Sequence, residues 1–288
     1  MNTALAKVLA HLENVKFAHT VFALPFAYMG MILAAGGLPD LRQFLLVTVA
    51  MVGARTAAMC ANRLIDLELD RRNPRTRARP LVRGLIRPGE VWGLLVAGVM
   101  LLVGAAWQLN ALALQLAPLA LVFLIGYSYT KRFTWLSHWI LGVTDGAAAA
   151  GGWIAVTGRF ELGTWVLWLA VALWVAGFDL LYACQDVEFD RREGLHSVPA
   201  RFGVAGALVA SRLCHVWTVL AWVALGWVEG LHWAYWVGVG IGAALLAYEQ
   251  HLVNPADLSR LNVAFFNVNG YIAIELLFFT LVDLMLRR

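Results

Sequence analysis

The 288 residues are 61% hydrophobic and only 14% charged, well short of the charge a soluble domain carries. That composition excludes a water-soluble globular fold and points to an integral membrane protein. The formal net charge of +4 sits largely in loops between apolar runs, where it marks orientation in a bilayer, and no nucleic-acid partner is expected.

Residues 1–14 read as an amphipathic segment at the interface, without the apolar core and small-residue cleavage site of a signal peptide. Runs of about 20 apolar residues, long enough to span a bilayer, follow at 15–36, 41–62, 89–108, 111–130, 136–157, 163–184, 206–228, 232–251 and 263–285. The expected fold is therefore all-α, with about nine transmembrane helices. The first run begins at Lys16 and His19. The second contains Arg55, costly in hydrocarbon unless it faces a cavity or a partner, and so a candidate to hold an anionic group.

That second run ends in Asn62-Arg-Leu-Ile-Asp66-Leu-Glu-Leu-Asp70. If its helix continues, Asn62, Asp66 and Asp70 share one face. Arg75-Thr-Arg-Ala-Arg79 follows, in a loop punctuated by Pro74, Pro80 and Pro88 that is expected to form an ordered cap. Carboxylates one turn apart beside arginines suit a diphosphate carried by Mg²⁺, because hard divalent ions take oxygen ligands and arginine forks grip phosphate. The competing reading is a solvated charged loop.

The fourth run closes on Tyr127-Ser-Tyr-Thr-Lys131-Arg132, which reads equally as membrane-edge anchors. Asp145 lies in a small-residue stretch of the fifth and needs a partner. In the sixth, Asp179, Tyr182, Asp186 and Asp190 fall on one helical stripe with Arg191 and Arg192 behind them, and Gly194 ends the helix. This second acidic row weakens the solvated-loop reading of the first. Asp66 to Asp186 and Asp70 to Asp190 are equally separated, which suggests two four-helix halves around a central cavity with a ninth helix appended. Cys60, Cys184 and Cys214 read as packing residues, and the many Trp and Phe as mostly lipid-facing. Glu275 in the last run is given no role. Lys and Arg concentrate at the N-terminus and after even-numbered runs, which places the N-terminus and both acidic rows in the cytoplasm and the protein in an inner or plasma membrane.

Asn62-x3-Asp66-x3-Asp70, Arg75-Thr76-x2-Arg79-Pro80 and Asp186-x3-Asp190 together resemble the two aspartate-rich motifs of the UbiA family of intramembrane prenyltransferases, and the similarity extends over most of the chain. Where the commonest first motif has Asp after Asn, this chain has Arg63, a pairing similar to the 4-hydroxybenzoate and menaquinone-type branch. The resemblance implies one domain over 1–288 and catalytic roles for Asp66, Asp70, Asp186 and Asp190, which with Asn62 would hold Mg²⁺. It implies a polyprenyl diphosphate gripped by Arg75, Arg79, Lys131 and Arg132. Further substrate contacts would come from Arg55, Asp179, Tyr182, Lys16 and His19. The implied acceptor is an aromatic carboxylate, 4-hydroxybenzoate or a hydroxynaphthoate of ubiquinone or menaquinone biosynthesis, with Asp186 or Asp190 taking the ring proton. Sister enzymes of haem, ether-lipid or chlorophyll synthesis would use the same diphosphate site. An ion-coupled transporter would hold its carboxylates near the bilayer midplane, unlike these rows at the ends of spans.

Overall fold

A computed structural model describes residues 3–16 and 20–287. Every regular element among them is helical. Helices α1 (Thr3–Asn14), α2 (Thr20–Ala35), α3 (Leu41–Ile65), α4 (Leu67–Arg72), α5 (Pro88–Leu109) and α6 (Ala111–Thr130) are followed by α7 (Ser137–Thr157), α8 (Leu162–Ala183), α9 (Val187–Arg192), α10 (Val198–Val228), α11 (Trp233–Leu252) and α12 (Asn269–Leu286). Each of the nine expected spans finds a helix. Seven helical stretches among the described residues are long and apolar enough to cross a membrane, and Leu24–Ala35 is a shorter apolar helix. Trp107, Trp227, Met100 and Val122 expose 67–77% of their surface, a pattern that fits hydrocarbon as the surrounding solvent.

The chain divides into two compact units, Met1–Thr20 with Leu46–Tyr129, and Val21–Leu45 with Thr130–Arg288. In the first unit, Cys60 and Ala61 of α3, Val91 and Leu95 of α5 and Ala10 of α1 form a core into which the connecting loop inserts Leu81 and Ile86. Those two anchors, with turn hydrogen bonds such as Arg79 N to Thr76 O and Leu85 N to Pro80 O, give the Pro-rich loop the order expected of it. Helix α1 shows Leu5, Val8, Leu9 and Leu12 to its surroundings while Lys7 pairs with Glu90 at the start of α5.

The second unit is built on α8, which packs against both α7 and α10. Its core contains Trp153, Trp174, Trp222 and Tyr235, each at most 2% exposed. Three tryptophans are thus core material, and the lipid-facing expectation does not extend to them. Helix α2 belongs to this unit and not to the unit of α3, so the compact units divide the chain differently from the four-plus-four expectation. The physical reason is a close approach of α2 to α7. A Cβ on Gly152 of α7 would meet the carbonyl of Ala27, and one on Gly30 of α2 would meet that of Ala149. Equal spacing of two motifs measures repetition along the chain, whereas small residues decide which helices touch.

Gly152→Leu is therefore expected to cost about 1–3 kcal/mol or more through overpacking, read as a lower thermal midpoint in detergent. Gly151→Leu, where a Cβ meets nothing within 4 Å, should leave the midpoint unchanged.

Candidate functional site

The first acidic row does not lie on an unbroken helix. Helix α3 ends at Ile65, and Asp66 (φ −96°, ψ 8°) starts the six-residue α4, Leu-Glu-Leu-Asp-Arg-Arg. The i→i+4 hydrogen bonds from Asp66 N to Asn62 O and from Asp70 N to Asp66 O persist at 2.9 and 2.7 Å, so the row stays in register across the break. The second row repeats this local design. After α8 and a 3₁₀ turn at Cys184–Asp186, Asp186 (φ −103°, ψ 7°) starts α9, Val-Glu-Phe-Asp-Arg-Arg. Both leading acids adopt the sparsely occupied bridge conformation in which active-site residues are often found.

Within the first unit, Asn62 Nδ2 donates to Asp66 Oδ2 at 3.0 Å and to Ser128 Oγ at 3.3 Å. Asn62 Oδ1 accepts from Arg63 Nη1 at 3.2 Å. The departure at Arg63 thus has a local use: the side chain is buried, donates to Asn14 O, and orients Asn62. Asp70 is buried and takes the guanidinium of Arg79 at 2.5 Å, while Thr76 Oγ1 donates to Asp70 O and Asn73 Oδ1 accepts from Arg75 N. Lys16 lies in the same corner. Arg63, Arg79, Arg75 and Glu13 lie within its electrostatic range. Several cations beside two acids make a corner that attracts a polyanion. Two helical turns before Asn62, Arg55 has its Nε screened from solvent with no hydrogen-bond partner, an orphaned donor of the kind an anionic ligand satisfies.

Within the second unit, Asp186 and Asp190 are buried. Asp190 Oδ2 accepts from Ser197 Oγ at 2.7 Å, and Ser197 caps α10 by accepting from Ala200 N. Asp179 Oδ2 meets His138 Nδ1 at 2.7 Å, and Lys131 and Asp186 lie within its electrostatic range. The Lys131 carbonyl accepts from His196 N, tying the start of the α6–α7 loop to the turn after α9. Arg132 is half-buried beside it. Tyr182 is half-buried and meets the ring of Phe266 edge-on at 6.4 Å. His19 lies outside the described residues.

Sequence reasoning missed Ser128 and His138. Ser128 sits inside the quoted Tyr-Ser-Tyr segment, so its neighbours were a signal. His138 gave none, because its partner Asp179 lies 41 residues away.

The fold and these residues define a polytopic helical membrane protein with two acid rows in matching local conformations, the first of them set among arginines. The sequence profile of the UbiA prenyltransferase family matches residues 23–271. The 4-hydroxybenzoate octaprenyltransferase of Xanthomonas campestris pv. campestris (strain B100) is 34% identical over 82% of this chain and 78% of its own length. The enzyme of that name from Vibrio cholerae serotype O1 (strain ATCC 39541 / Classical Ogawa 395 / O395) is 32% identical over 85% and 86%. Among solved structures, a UbiA homologue from Aeropyrum pernix K1 superposes with TM-score 0.84 at 38% identity, covering 92% of this chain and 98% of that one. A homologue from Archaeoglobus fulgidus bound to GPP and Mg²⁺ shares the fold at TM-score 0.71 and 19% identity, over 95% and 99%. The chain belongs to the UbiA prenyltransferase family and is a prenyltransferase.

Proposed function

We propose that the protein transfers a polyprenyl group from polyprenyl diphosphate to an aromatic carboxylate, 4-hydroxybenzoate or a hydroxynaphthoate, in ubiquinone or menaquinone synthesis, with the acid rows facing the cytoplasm. The observation that carries this reading is the corner in which Lys16, Arg63, Arg75 and Arg79 surround Asp70 and Asp66. The names of the relatives and the Mg²⁺-bound, GPP-bound neighbour support it.

The donor set fits Mg²⁺. Asn62, Asp66, Asp70, Asp186 and Asp190 offer only hard oxygen atoms or amide groups, and no cysteine or histidine competes in their rows. Mg²⁺ usually keeps contact through one or two carboxylates plus substrate phosphate oxygens. When bound, the metal supplies Lewis-acid stabilisation to the departing diphosphate. Arg75, Arg79, Lys131 and Arg132 balance the remaining phosphate charge, and the ordered 73–87 loop excludes water that would otherwise quench an allylic cation. Arg55, with its orphaned Nε, holds either a phosphate oxygen or the acceptor carboxylate. The electron-rich ring attacks C1 of the prenyl chain as the C1–O bond breaks, and Asp186 or Asp190 takes the ring proton.

Purified protein given labelled polyprenyl diphosphate, with and without Mg²⁺, against a panel of acceptors is expected to form product only with a hydroxylated aromatic carboxylate and only with metal. Metal-dependent diphosphate binding without product from any aromatic acceptor would overturn the assigned acceptor.

A further inference from the structure

His138 of α7 is fully buried and uses both ring nitrogens. Nε2 lies 3.3 Å from the backbone N of Val198, at the first turn of α10. A backbone N–H can only donate, so Nε2 is the bare nitrogen and Nδ1 carries the hydrogen that Asp179 Oδ2 accepts at 2.7 Å. The residue preceding Val198 is Ser197, which donates to Asp190 Oδ2 at 2.7 Å. One continuous chain of bonds therefore runs Asp179, His138, Val198, Ser197, Asp190, joining the two ends of the second acidic stripe through the start of α10.

A neutral histidine takes one of the roughly four acceptor sites of the Asp179 carboxylate, and the carboxylate is 19% exposed, which leaves acceptor capacity for a ligand. What that capacity takes is restricted by charge. A carboxylate outside the metal-ligand set repels both a diphosphate and an aromatic carboxylate, and it welcomes a neutral O–H donor. We infer that His138 is a positioning residue that fixes Asp179 as the hydrogen-bond acceptor for the ring hydroxyl of the aromatic substrate. The inference deepens the function proposed above and rests on it for the identity of the substrate.

Asn and Gln separate the two bonds of His138. The amide of Asn falls near the Nδ1 position and can serve Asp179, whereas that of Gln reaches the Nε2 position and can serve Val198. In steady-state kinetics, H138Q and H138A should lose about 10–100-fold in kcat/KM for the hydroxylated acceptor, as when a hydrogen-bonding support of a functional group is removed. KM for the prenyl diphosphate should stay unchanged, and H138N should hold activity near wild type. An intact H138Q with an impaired H138N, or equal losses in the two, would overturn the proposal and reduce His138 to a tie between helices.

A second arm does not depend on turnover. In ¹⁵N-histidine-labelled protein at neutral pH, the resonance absent from H138Q should report a protonated Nδ1 and a bare Nε2; the opposite tautomer would overturn the geometry. Failure of wild-type protein to use any aromatic acceptor defeats the functional reading and, with it, the substrate contact assigned to Asp179, while the labelled spectrum still judges the His138 tautomer.

Discussion

Asp66→Ala and Asp186→Ala are each expected to lower prenyl transfer by roughly 10³-fold or more, since Lewis-acid stabilisation of a leaving group supplies several kcal/mol and each 1.4 kcal/mol is tenfold. Both variants should still insert and purify as folded protein. The reason lies in the backbone. Each acid precedes a six-residue helix at nearly the same φ and ψ, and those helices are held by their own i→i+4 bonds and by neighbouring core residues such as Leu81, Ile86 and Phe189, so the conformation does not need the carboxylate. Transfer measured with labelled polyprenyl diphosphate, alongside size-exclusion behaviour, checks both halves of the expectation. Full activity in either variant would refute the metal assignment.

Arg79→Ala should act on stability and on transfer together, by separable routes. Arg79 holds the buried Asp70 at 2.5 Å, with side-chain exposures of only 20% and 9%. Removing one partner of such a pair leaves an uncompensated charge and typically costs about 3–5 kcal/mol, which should appear as a marked fall in thermal midpoint. Losing a charge-assisted hydrogen bond to phosphate, worth about 1.5–3 kcal/mol, should by itself cut transfer about 10–100-fold. The double variant Asp70→Asn with Arg79→Ala isolates the stability part, and KM for the prenyl diphosphate in Arg79→Ala reads the phosphate contact. The double variant removes the orphaned charge and should recover most of the midpoint, while transfer stays low. If Arg79→Ala left KM for the prenyl diphosphate unchanged, Arg79 would be a structural partner of Asp70 and no ligand of the diphosphate.

Much of the fold was legible because a bilayer punishes exposed backbone polar groups. Every span must satisfy its own hydrogen bonds, so apolar length translates directly into helix, and each expected span finds one. The acid rows were legible for a related reason: residues four apart stack whether or not the helix is interrupted midway, so the break at Asp66 shifted backbone angles without moving the row out of register. The break itself was not visible, because nothing in Ile65-Asp66-Leu67 differs in kind from a continuous helix.

The chain by itself therefore determined what local chemistry can determine: membrane residence, the approximate number of apolar helices, the recurring Asp-x3-Asp rows and the arginines that follow them. Tertiary structure alone decided who meets whom across long sequence gaps. It paired His138 with Asp179 and Asn62 with Ser128, assigned α2 to the unit of α7 through Gly30 and Gly152, and sent three tryptophans into the core. The physical reason is that hydrogen-bonded helices form from near neighbours, whereas contact between helices depends on side-chain volume and donor geometry at positions tens of residues apart.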